Sequence, residues 1–451
     1  MKRRPSLVLF LLIVAAVFVH ALDRQPNETY RTRRMELAEK AKGGVVILFA
    51  KASDADLLYG FQHDLDFYYL TGWNEPGAAL LIAGAQPASD NAPARPYTEI
   101  FFLPNHNRIQ ERWTGPKLGP EDPKAPAITG FDKVMSLDKL ADAVTEVTGG
   151  RPTRILSTPP DPRSQEPNAA TVPLDWLRRN NALMGPVGDA HPLVAELREV
   201  KDQGELDRIL KATDASKAAH RAAFKAMKPG MTEHQIAALM TYEFEMRGCE
   251  RPAYAPIVGS GFNSTVLHYS ENSKTIDPGD LVVMDVAGEY AGYASDITRT
   301  VPATGKFTPR QREIYDVVLG AQRAAQEAFV AGKSTLFGKG PDSLYSVVVD
   351  YMNTHGKDLH GQPLGKYFIH GLGHPVGLEV HDVGTNTTMK LDKGMVFTIE
   401  PGIYIPEEKL GVRIEDIYYV DQNGKLVDMT ADLPHTADEV EAAMAQGKVS
   451  K

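Results

Sequence analysis

The sequence predicts a two-domain protein of the mixed α/β (α+β) class. Its 451 residues are too many for one ordinary domain. The first part alternates short apolar runs with loop-forming stretches, and the second combines helical periodicity with two strand–turn–strand segments. Apolar residues make up 43% and charged residues 24%, as in an average soluble globular protein. A net charge of −9 argues against nucleic acid or an anionic membrane surface as a partner.

The first 21 residues have the features of a secretory signal peptide. Lys2, Arg3 and Arg4 precede an apolar run over residues 7–19, and Ala21 provides a small side chain at the position that a signal peptidase recognises. The run is short for a transmembrane helix, which needs about 20 apolar residues. We therefore expect cleavage after this segment and export to the periplasm or the extracellular space, with a retained membrane anchor as the alternative.

The first domain is predicted over residues 30–190, with a loose polar leader expected at residues 22–35. Three apolar runs are typical of strands, and loops rich in Pro, Asn and Asp separate them. The runs cover residues 45–49, 78–82 and 99–103. This pattern indicates an α/β domain, and a cluster of Gly and Pro near residues 185–192 marks its end.

The second domain, predicted over residues 193–440, begins with helical periodicity. Apolar residues at helical spacing within residues 193–227 predict a helix, and Pro229 with Gly230 ends it. Thr232 followed by Gln235 predicts a capping box at the start of the next helix.

Residues 281–298 are the most informative segment, because they combine a buried-type strand, a turn and a second strand with two aspartates. In a regular hairpin that turns at Tyr290 and Ala291, Asp285 and Asp296 would lie directly opposite, with Cβ atoms about 5 Å apart. Two buried carboxylates at that distance repel each other, and a cation relieves both the repulsion and the desolvation. We therefore favour a metal site over the alternative of two solvent-facing aspartates.

The same arrangement recurs near the C-terminus. Residues 395–400 and 411–415 form apolar strands around a turn, so that Glu400 and Glu415 would also face each other unless Pro401 shifts the register. Two hairpins that each present a carboxylate pair predict a pseudo-symmetric catalytic domain. Four carboxylates are enough to bridge two divalent ions.

A glycine-rich stretch between the two hairpins carries three histidines, His370, His374 and His381. Glycine lets the backbone approach a ligand closely, so we expect histidines of the site here. The two glycines between the first pair and the following Pro375 argue against a helical HExxH zinc motif.

Two further glycine-containing stretches do not support a nucleotide cofactor. Residues 332–335 resemble the end of a phosphate-binding loop, but Glu327 stands where the first glycine is required. Residues 259–261 lack the strand–helix context of a dinucleotide-binding turn. We therefore expect no nucleotide partner.

Taken in chain order, five residues resemble the dinuclear metal set of the pita-bread metallopeptidases (M24), the family of aminopeptidase P, prolidase and methionine aminopeptidase: Asp285, Asp296, His374, Glu400 and Glu415. Other motifs resemble the aminopeptidase P branch, namely DLDFYYLTGWNEP at 64–76, FFLP at 101–104, ERWTG at 111–115, LHYSEN at 267–272 and EPG at 400–402. The resemblance covers roughly residues 45–435. It implies a creatinase/aminopeptidase P-like N-terminal α/β domain followed by a pita-bread catalytic domain.

This resemblance implies an Xaa-Pro aminopeptidase, which hydrolyses the first bond of peptides with proline in second position. The five residues named above are the implied metal ligands. The implied catalytic residues are His268, His370, His381 and Glu400, with Arg413 supporting the ligands. The implied cofactor is two divalent ions per chain, Mn²⁺ first, with Co²⁺, Fe²⁺ and Zn²⁺ as alternatives.

Three other functions stay open at this point. An Xaa-Pro dipeptidase (prolidase) performs the same chemistry on dipeptides, a creatinase-type hydrolase needs no metal, and a peptide-binding module on this fold needs no catalysis. The complete ligand set speaks against the last two. The sequence leaves the natural peptides and the oligomeric state open, including a homo-oligomer.

Overall fold

The computed structural model describes residues 23–51, 64–88, 93–158, 169–384 and 389–447. The predicted signal peptide lies outside the described residues. Within them, no helix is both long enough and apolar enough to cross a membrane.

The N-terminal domain is a mixed sheet with helices on both faces. Its strands are β1 (Val45–Phe49), β2 (Ala79–Ala83), β3 (Thr98–Leu103), β4 (Val134–Ser136), β5 (Ile155–Ser157) and β6 (Val187–Asp189). Its helices are α1 (Asn27–Lys40), α2 (Leu65–Thr71), α3 (Glu111–Thr114), α4 (Ala125–Thr129), α5 (Leu140–Thr148) and α6 (Thr171–Arg179). The sheet order is β4-β3-β2-β1-β5-β6. The three strands predicted from apolar runs are confirmed as β1, β2 and β3.

Both faces of this sheet are buried, because alternate residues of a strand point to opposite faces. Val45, Ile47 and Phe49 of β1 belong to one core, which α5 and α6 complete. Val46 and Leu48 belong to another core, to which α1, α2 and part of the second domain contribute. The runs are therefore apolar at every position rather than at alternate ones.

The prediction of a loose leader at residues 22–35 is wrong, because α1 begins at Asn27. This helix is docked by buried arginines rather than by a broad apolar stripe. Arg34 Nε donates to Glu99 Oε2 over 2.7 Å, and Arg33 Nη2 donates to Asp202 Oδ2 over 2.5 Å. A polar composition therefore conceals a helix whose partners lie far away in the chain.

The second domain contains the remaining helices, α7 (His191–Arg198), α8 (Gln203–Ala226), α9 (Glu233–Glu245), α10 (Pro309–Ala328), α11 (Leu344–His355) and α12 (Ala437–Gln446). One continuous helix over residues 193–227 was predicted, but the structure has two. The second of them begins at a capping box in which Asp202 and Glu205 exchange side-chain hydrogen bonds with each other's backbone. The capping box of Thr232 and Gln235 is confirmed at the start of α9.

The strands of the second domain form small antiparallel ladders. They are β7 (Arg251–Pro252), β8 (Ile257–Ser260), β9 (Leu281–Asp285), β10 (Gly288–Tyr290), β11 (Tyr293–Ala294), β12 (Thr298–Pro302), β13 (Val396–Ile399), β14 (Gly402–Ile405), β15 (Leu410–Arg413), β16 (Asp416–Val420) and β17 (Leu426–Asp428). The packed pair α8 and α9 precedes the ladder of β8, β9 and β12, and the packed pair α10 and α11 precedes the ladders of β13 to β16. This repetition agrees with the predicted pseudo-symmetry.

Candidate active site

The first carboxylate pair lies on one face of a hairpin, but not in the predicted register. Asp285 pairs with Thr298, and Glu289 pairs with Ala294, so Asp296 falls opposite Ala287. Asp285 and Asp296 are therefore diagonal neighbours on one face rather than directly opposite residues. The prediction of direct opposition is wrong by two residues, although both carboxylates still line one cavity.

The second carboxylate pair has the predicted register. Ile399 pairs with Asp416 before the break in the ladder, and Gly402 pairs with Arg413 after it, so Glu400 and Glu415 lie opposite each other. Pro401 introduces no shift. Glu415 instead donates its backbone N–H to Thr298 O over 3.1 Å, which connects the second carboxylate pair to the first hairpin.

His374 lies between the carboxylates of both hairpins. Its Nε2 is 3.3 Å from Asp296 Oδ2 and 3.4 Å from Glu400 Oε1. Thr398 on β13 holds its backbone with two hydrogen bonds, from His374 N to Thr398 Oγ1 and from Thr398 N to His374 O. Ligand atoms of His374, Asp296 and Glu415 lie within 4.8 Å of one another, close enough to bind one ion.

The electrostatics of this cluster fit a bound cation. Burial raises the pKa of Glu400 to about 7, and burial together with the charge of Asp296 raises that of Glu415 well above its ordinary value. Burial also raises the pKa of Asp285, whose Oδ1 is buried without a hydrogen-bond partner among the described residues. Burial alone would lower the pKa of His374, but the hydrogen bond to Asp296 and the charge of Glu400 raise it to about 9. A divalent cation supplies the positive charge that this crowded, acidic cluster requires.

Arg413 connects the carboxylates to a histidine. Its Nη2 donates to Asp285 Oδ2 over 2.6 Å and its Nη1 donates to the hydroxyl of Tyr404 over 3.1 Å. His370 Nδ1 donates to the Gly371 carbonyl over 2.8 Å, and burial followed by the charge of Arg413 lowers the pKa of His370 to about 4. His370 is therefore neutral, and its Nε2 accepts the Tyr404 hydroxyl hydrogen over 2.8 Å.

All nine predicted site residues line one cavity of about 490 Å³. Besides the five carboxylate and histidine candidates for metal ligation, these are His268, His370, His381 and Arg413. The rings of His381 and His374 are 4.1 Å apart, and burial together with the charge of His374 lowers the pKa of His381. The rest of the wall is mostly apolar, with Ile257, Leu267, Phe337 and Val380. Such a cavity can hold the end of a peptide, with the polar side chains of the cavity on one side of it and the apolar wall on the other.

Sequence reasoning missed several hydroxyl groups that hold the site. The Tyr254 hydroxyl donates to Asp296 Oδ1 over 2.7 Å, and Thr298 Oγ1 donates to Glu415 Oε2 over 2.6 Å. Tyr404 was missed as well, although it follows Glu400 by four residues, a spacing that places strand residues on one face.

A second cluster of possible ligands contains its own cation. Asp416, Asp428 and His435 also bring ligand atoms within 4.8 Å of one another. The buried Arg299 donates to Asp416 Oδ1 over 2.6 Å, and its Nη2 is 2.9 Å from His435 Nε2. We interpret this cluster as a structural ion pair behind Glu415 rather than as a metal site.

A buried, oxygen-rich set of candidate ligands beside further histidines in one cavity is typical of the class of metal-dependent hydrolases. The model of metallopeptidase family M24 matches residues 207–422, and that of the aminopeptidase P N-terminal domain matches residues 30–156. This chain belongs to metallopeptidase family M24, within its aminopeptidase P branch, which confirms the family and fold class predicted from the motifs.

The relatives match over nearly their whole length. The Xaa-Pro aminopeptidases of Haemophilus influenzae and Escherichia coli are 32% and 31% identical, each over 94% of this chain and 98% of theirs. The zinc-substituted E. coli aminopeptidase P in complex with product has a TM-score of 0.79 at 30% identity, covering 94% of this chain and 99% of that one. The E. coli enzyme with the inhibitor Pro-Leu has a TM-score of 0.80 at 30% identity, covering 94% and 100%.

Proposed function

We propose that this protein is an Xaa-Pro aminopeptidase, which removes the first residue of peptides that have proline in second position. The observation that carries the proposal is the meeting of the complete ligand set and three histidines in one cavity, in a chain that belongs to the aminopeptidase P branch. The protein is thus a metallo-exopeptidase of the hydrolase class.

Five residues would hold two divalent ions: Asp285, Asp296, His374, Glu400 and Glu415. Four carboxylates and one imidazole form a hard ligand set, which favours Mn²⁺ and leaves Co²⁺, Fe²⁺ and Zn²⁺ as alternatives. When bound, such ions would polarise the scissile carbonyl and lower the pKa of a bound water molecule. Arg413 holds Asp285 in place through the 2.6 Å hydrogen bond.

The histidines handle the substrate and its protons. His268, His370 and His381 line the cavity beside the ligand set, where imidazoles can donate to a developing oxyanion and accept or release a proton. Glu400 is the candidate base for the nucleophilic water, because it lines the cavity and burial raises its pKa to about 7. We expect His268→Ala and His381→Ala to keep the metal and to lose about 10²- to 10³-fold in turnover.

The specificity for proline follows from the chemistry of the Xaa-Pro bond, which lacks an N–H. A cavity with an apolar wall can pack the pyrrolidine ring and needs no acceptor at that position. Alanine in second position would bring an unpaired donor, at a cost of about 1–3 kcal/mol. We therefore expect Arg-Pro-Pro to be cleaved at least about tenfold faster than Arg-Ala-Pro, as judged by kcat/KM.

The test combines that comparison with metal analysis of the purified protein. We expect two divalent ions per chain and Asp285→Ala protein that has lost both metal and activity. Equal rates on the two peptides would indicate a general or methionine-type aminopeptidase. Near-normal turnover of Asp285→Ala with two ions bound would contradict the ligand assignment.

An Xaa-Pro dipeptidase is the second candidate. The Xaa-Pro dipeptidase of Pyrococcus furiosus is 40% identical, but over only 51% of this chain and 63% of that protein. The aminopeptidases match both domains, which favours the longer substrates. Cleavage of Gly-Pro with no cleavage of Gly-Pro-Xaa tripeptides would reverse this preference.

We also propose that the protein acts outside the cytoplasm, after removal of residues 1–21. The support is the basic start and the short apolar run of the sequence. N-terminal sequencing of protein from the native host should give Leu22 as the first residue. A chain that starts at Met1 and sediments with membranes would instead identify an anchor.

A further inference from the structure

The segment that links His374 to His381 is a closed loop. Asp382 N donates to Pro375 O over 3.0 Å, and Gly377 N donates to Glu379 O over 3.0 Å, so the two ends of the loop meet. The loop is also joined to the first hairpin, because Ala294 N donates to Gly377 O over 2.8 Å.

The loop folds around the carboxylate of Asp382. A Cβ atom at Gly377 would lie 2.1 Å from Asp382 Oδ2, so the carboxylate crosses the backbone where only glycine leaves room. Two buried cations hold this carboxylate: Arg198 Nη2 donates to Oδ1 over 2.6 Å and Lys201 Nζ donates to Oδ2 over 3.0 Å. All three residues are buried, and ion pairs of this kind are screened little by solvent.

The same arginine reaches the N-terminal domain. Arg198 Nη1 donates to Oδ1 of the buried Asp66 on α2 over 2.9 Å, while its Nη2 also lies 3.3 Å from Glu379 Oε2. His191 Nδ1 lies 2.8 Å from the other oxygen of Asp66. A chain of buried charges therefore runs from α2 of the first domain to the residue that follows His381.

We propose that Asp382, clamped by Arg198 and Lys201, is a positioning residue that fixes His381 in the catalytic cavity, and that the N-terminal domain takes part in this clamp through Asp66. This inference rests on the proposed role of His381 in the aminopeptidase reaction. None of the three clamp residues Asp382, Arg198 and Lys201 lines the cavity itself.

The clamp acts on His381 rather than on His374. His374 is held independently by its two hydrogen bonds to Thr398 on β13. His381 comes directly before Asp382, so the carboxylate is the nearest anchored side chain in its own loop. Because a displacement of about 1 Å in an active site can cost 10²-fold in rate, weakening this anchor should lower turnover without removing the metal.

The test is a double-mutant cycle measured on Arg-Pro-Pro at saturating metal and well below the unfolding temperature. We expect Lys201→Met and Asp382→Asn to lower kcat/KM by about 10- to 100-fold, with two ions still bound. In the His381→Ala background the same substitutions should have no further effect, because their action passes through His381. Asp382→Asn leaves the buried Lys201 facing a neutral partner and could prevent folding. In that case Lys201→Met still tests the proposal.

Arg33→Met is the matched control. Arg33 also joins the two domains through a buried ion pair, with Asp202 and Glu205, but it does not touch Asp382. The Arg33→Met variant should have a lower unfolding temperature, because it loses an ion pair between the domains. Its kcat/KM should stay within about twofold of the wild-type value, because Asp382 keeps its contacts. Full activity of Lys201→Met would contradict the proposal that Asp382 positions His381. So would an equal loss of kcat/KM from Lys201→Met in the wild-type and His381→Ala backgrounds. Full activity of His381→Ala alone would overturn the proposed role of His381 instead.

Discussion

His220 is a fully buried histidine on α8 that supports the hairpin of Asp285 and Asp296 from behind. Its Nε2 donates to Val286 O over 3.1 Å, and its Nδ1 has no partner among the described residues. Burial, followed by the charge of Arg299, lowers the pKa of His220 to about 3. The folded protein therefore keeps this imidazole neutral throughout the range in which an unfolded histidine titrates.

This pKa predicts a loss of stability in mild acid. The unfolded chain takes up a proton near pH 6.5, whereas the folded chain does so only near pH 3, so stability falls as the pH falls through that window. Between pH 6.5 and pH 5 this one group should cost about 1.6 kcal/mol of unfolding free energy. His220→Gln keeps a donor for Val286 and cannot titrate. Denaturant unfolding at both pH values should therefore show a smaller acid loss in the variant, and equal losses would contradict the neutral, buried state.

Single residues differ in how far the sequence could reveal them. The four carboxylates of the candidate site were predictable, because a carboxylate beside a buried strand needs a cation or hydrogen-bond donors to offset its desolvation. His374 was distinguished from the neighbouring histidines only by the resemblance to the family. Tyr404 was predictable in principle from its spacing to Glu400 on one strand face. Tyr254 was not, because it lies in an irregular stretch and meets Asp296 only through the tertiary fold.

The hairpin that carries Asp285 and Asp296 shows why the register of two strands is harder to predict than the strands themselves. Both Ala291 and Gly292 have positive φ, 50° and 80°, and Tyr290 pairs with Tyr293 across them. This geometry is typical of a two-residue type I′ turn, for which a glycine at the second position is the sequence signal. The prediction placed the turn one residue early, at Tyr290 and Ala291, and so moved the pairing of Asp285 by two residues.

The boundary between α7 and α8 is marked by a capping box, the same signal that predicts the start of α9. Thr232 and Gln235 were recognised as a capping box, and the structure confirms it. Asp202 and Glu205 have the same spacing and the same reciprocal hydrogen bonds, and they separate α7 from α8. Apolar periodicity continues across this break because both helices bury one side in the same interior, so periodicity alone could not locate it.

Gly373, directly before His374, lies against the backbone of β13, and this close approach can be tested by substitution. A Cβ atom at Gly373 would lie 2.1 Å from the backbone oxygen of Thr398, a contact that cannot be relieved by a side-chain rotation. We expect Gly373→Ala to push this segment away from β13, to displace His374 and to lower both metal content and unfolding temperature. Metal per chain at a fixed, limiting metal concentration is the measurement.

Gly371→Ala is the matched control, two residues earlier in the same segment. The nearest atom to its Cβ would be Phe337 Cε1 at 3.3 Å, at the edge of a side chain rather than on the backbone. This variant should retain its metal. Equal metal content in the two variants would show that the approach to Thr398 does not position His374.

At the scale of the whole molecule, the two domains share a hydrophobic interior. One core contains Val46 and Leu80 of the first sheet together with Val376, Val396 and Ile417 of the second domain. The sequence indicated a domain boundary near residues 185–192, but it could not show that the two domains share a core. An apolar run does not reveal which other segment of the chain packs against it. Buried ion pairs cross the same interface at Arg33 and Arg198.

A shared interior predicts that the domains unfold together. Two further cores are each confined to one domain, and they offer paired substitutions: Ile47→Ala in the first domain and Met240→Ala in the second. Each should cost about 2–5 kcal/mol, because each removes a fully buried side chain.

If the interface couples the domains, calorimetry of the metal-loaded protein should show one transition, and both variants should move that same transition to lower temperature. Independent domains would give two transitions, of which Ile47→Ala moves one and Met240→Ala the other. Such a result would make the interface a loose contact and would leave Asp66 unable to act on the His381 loop.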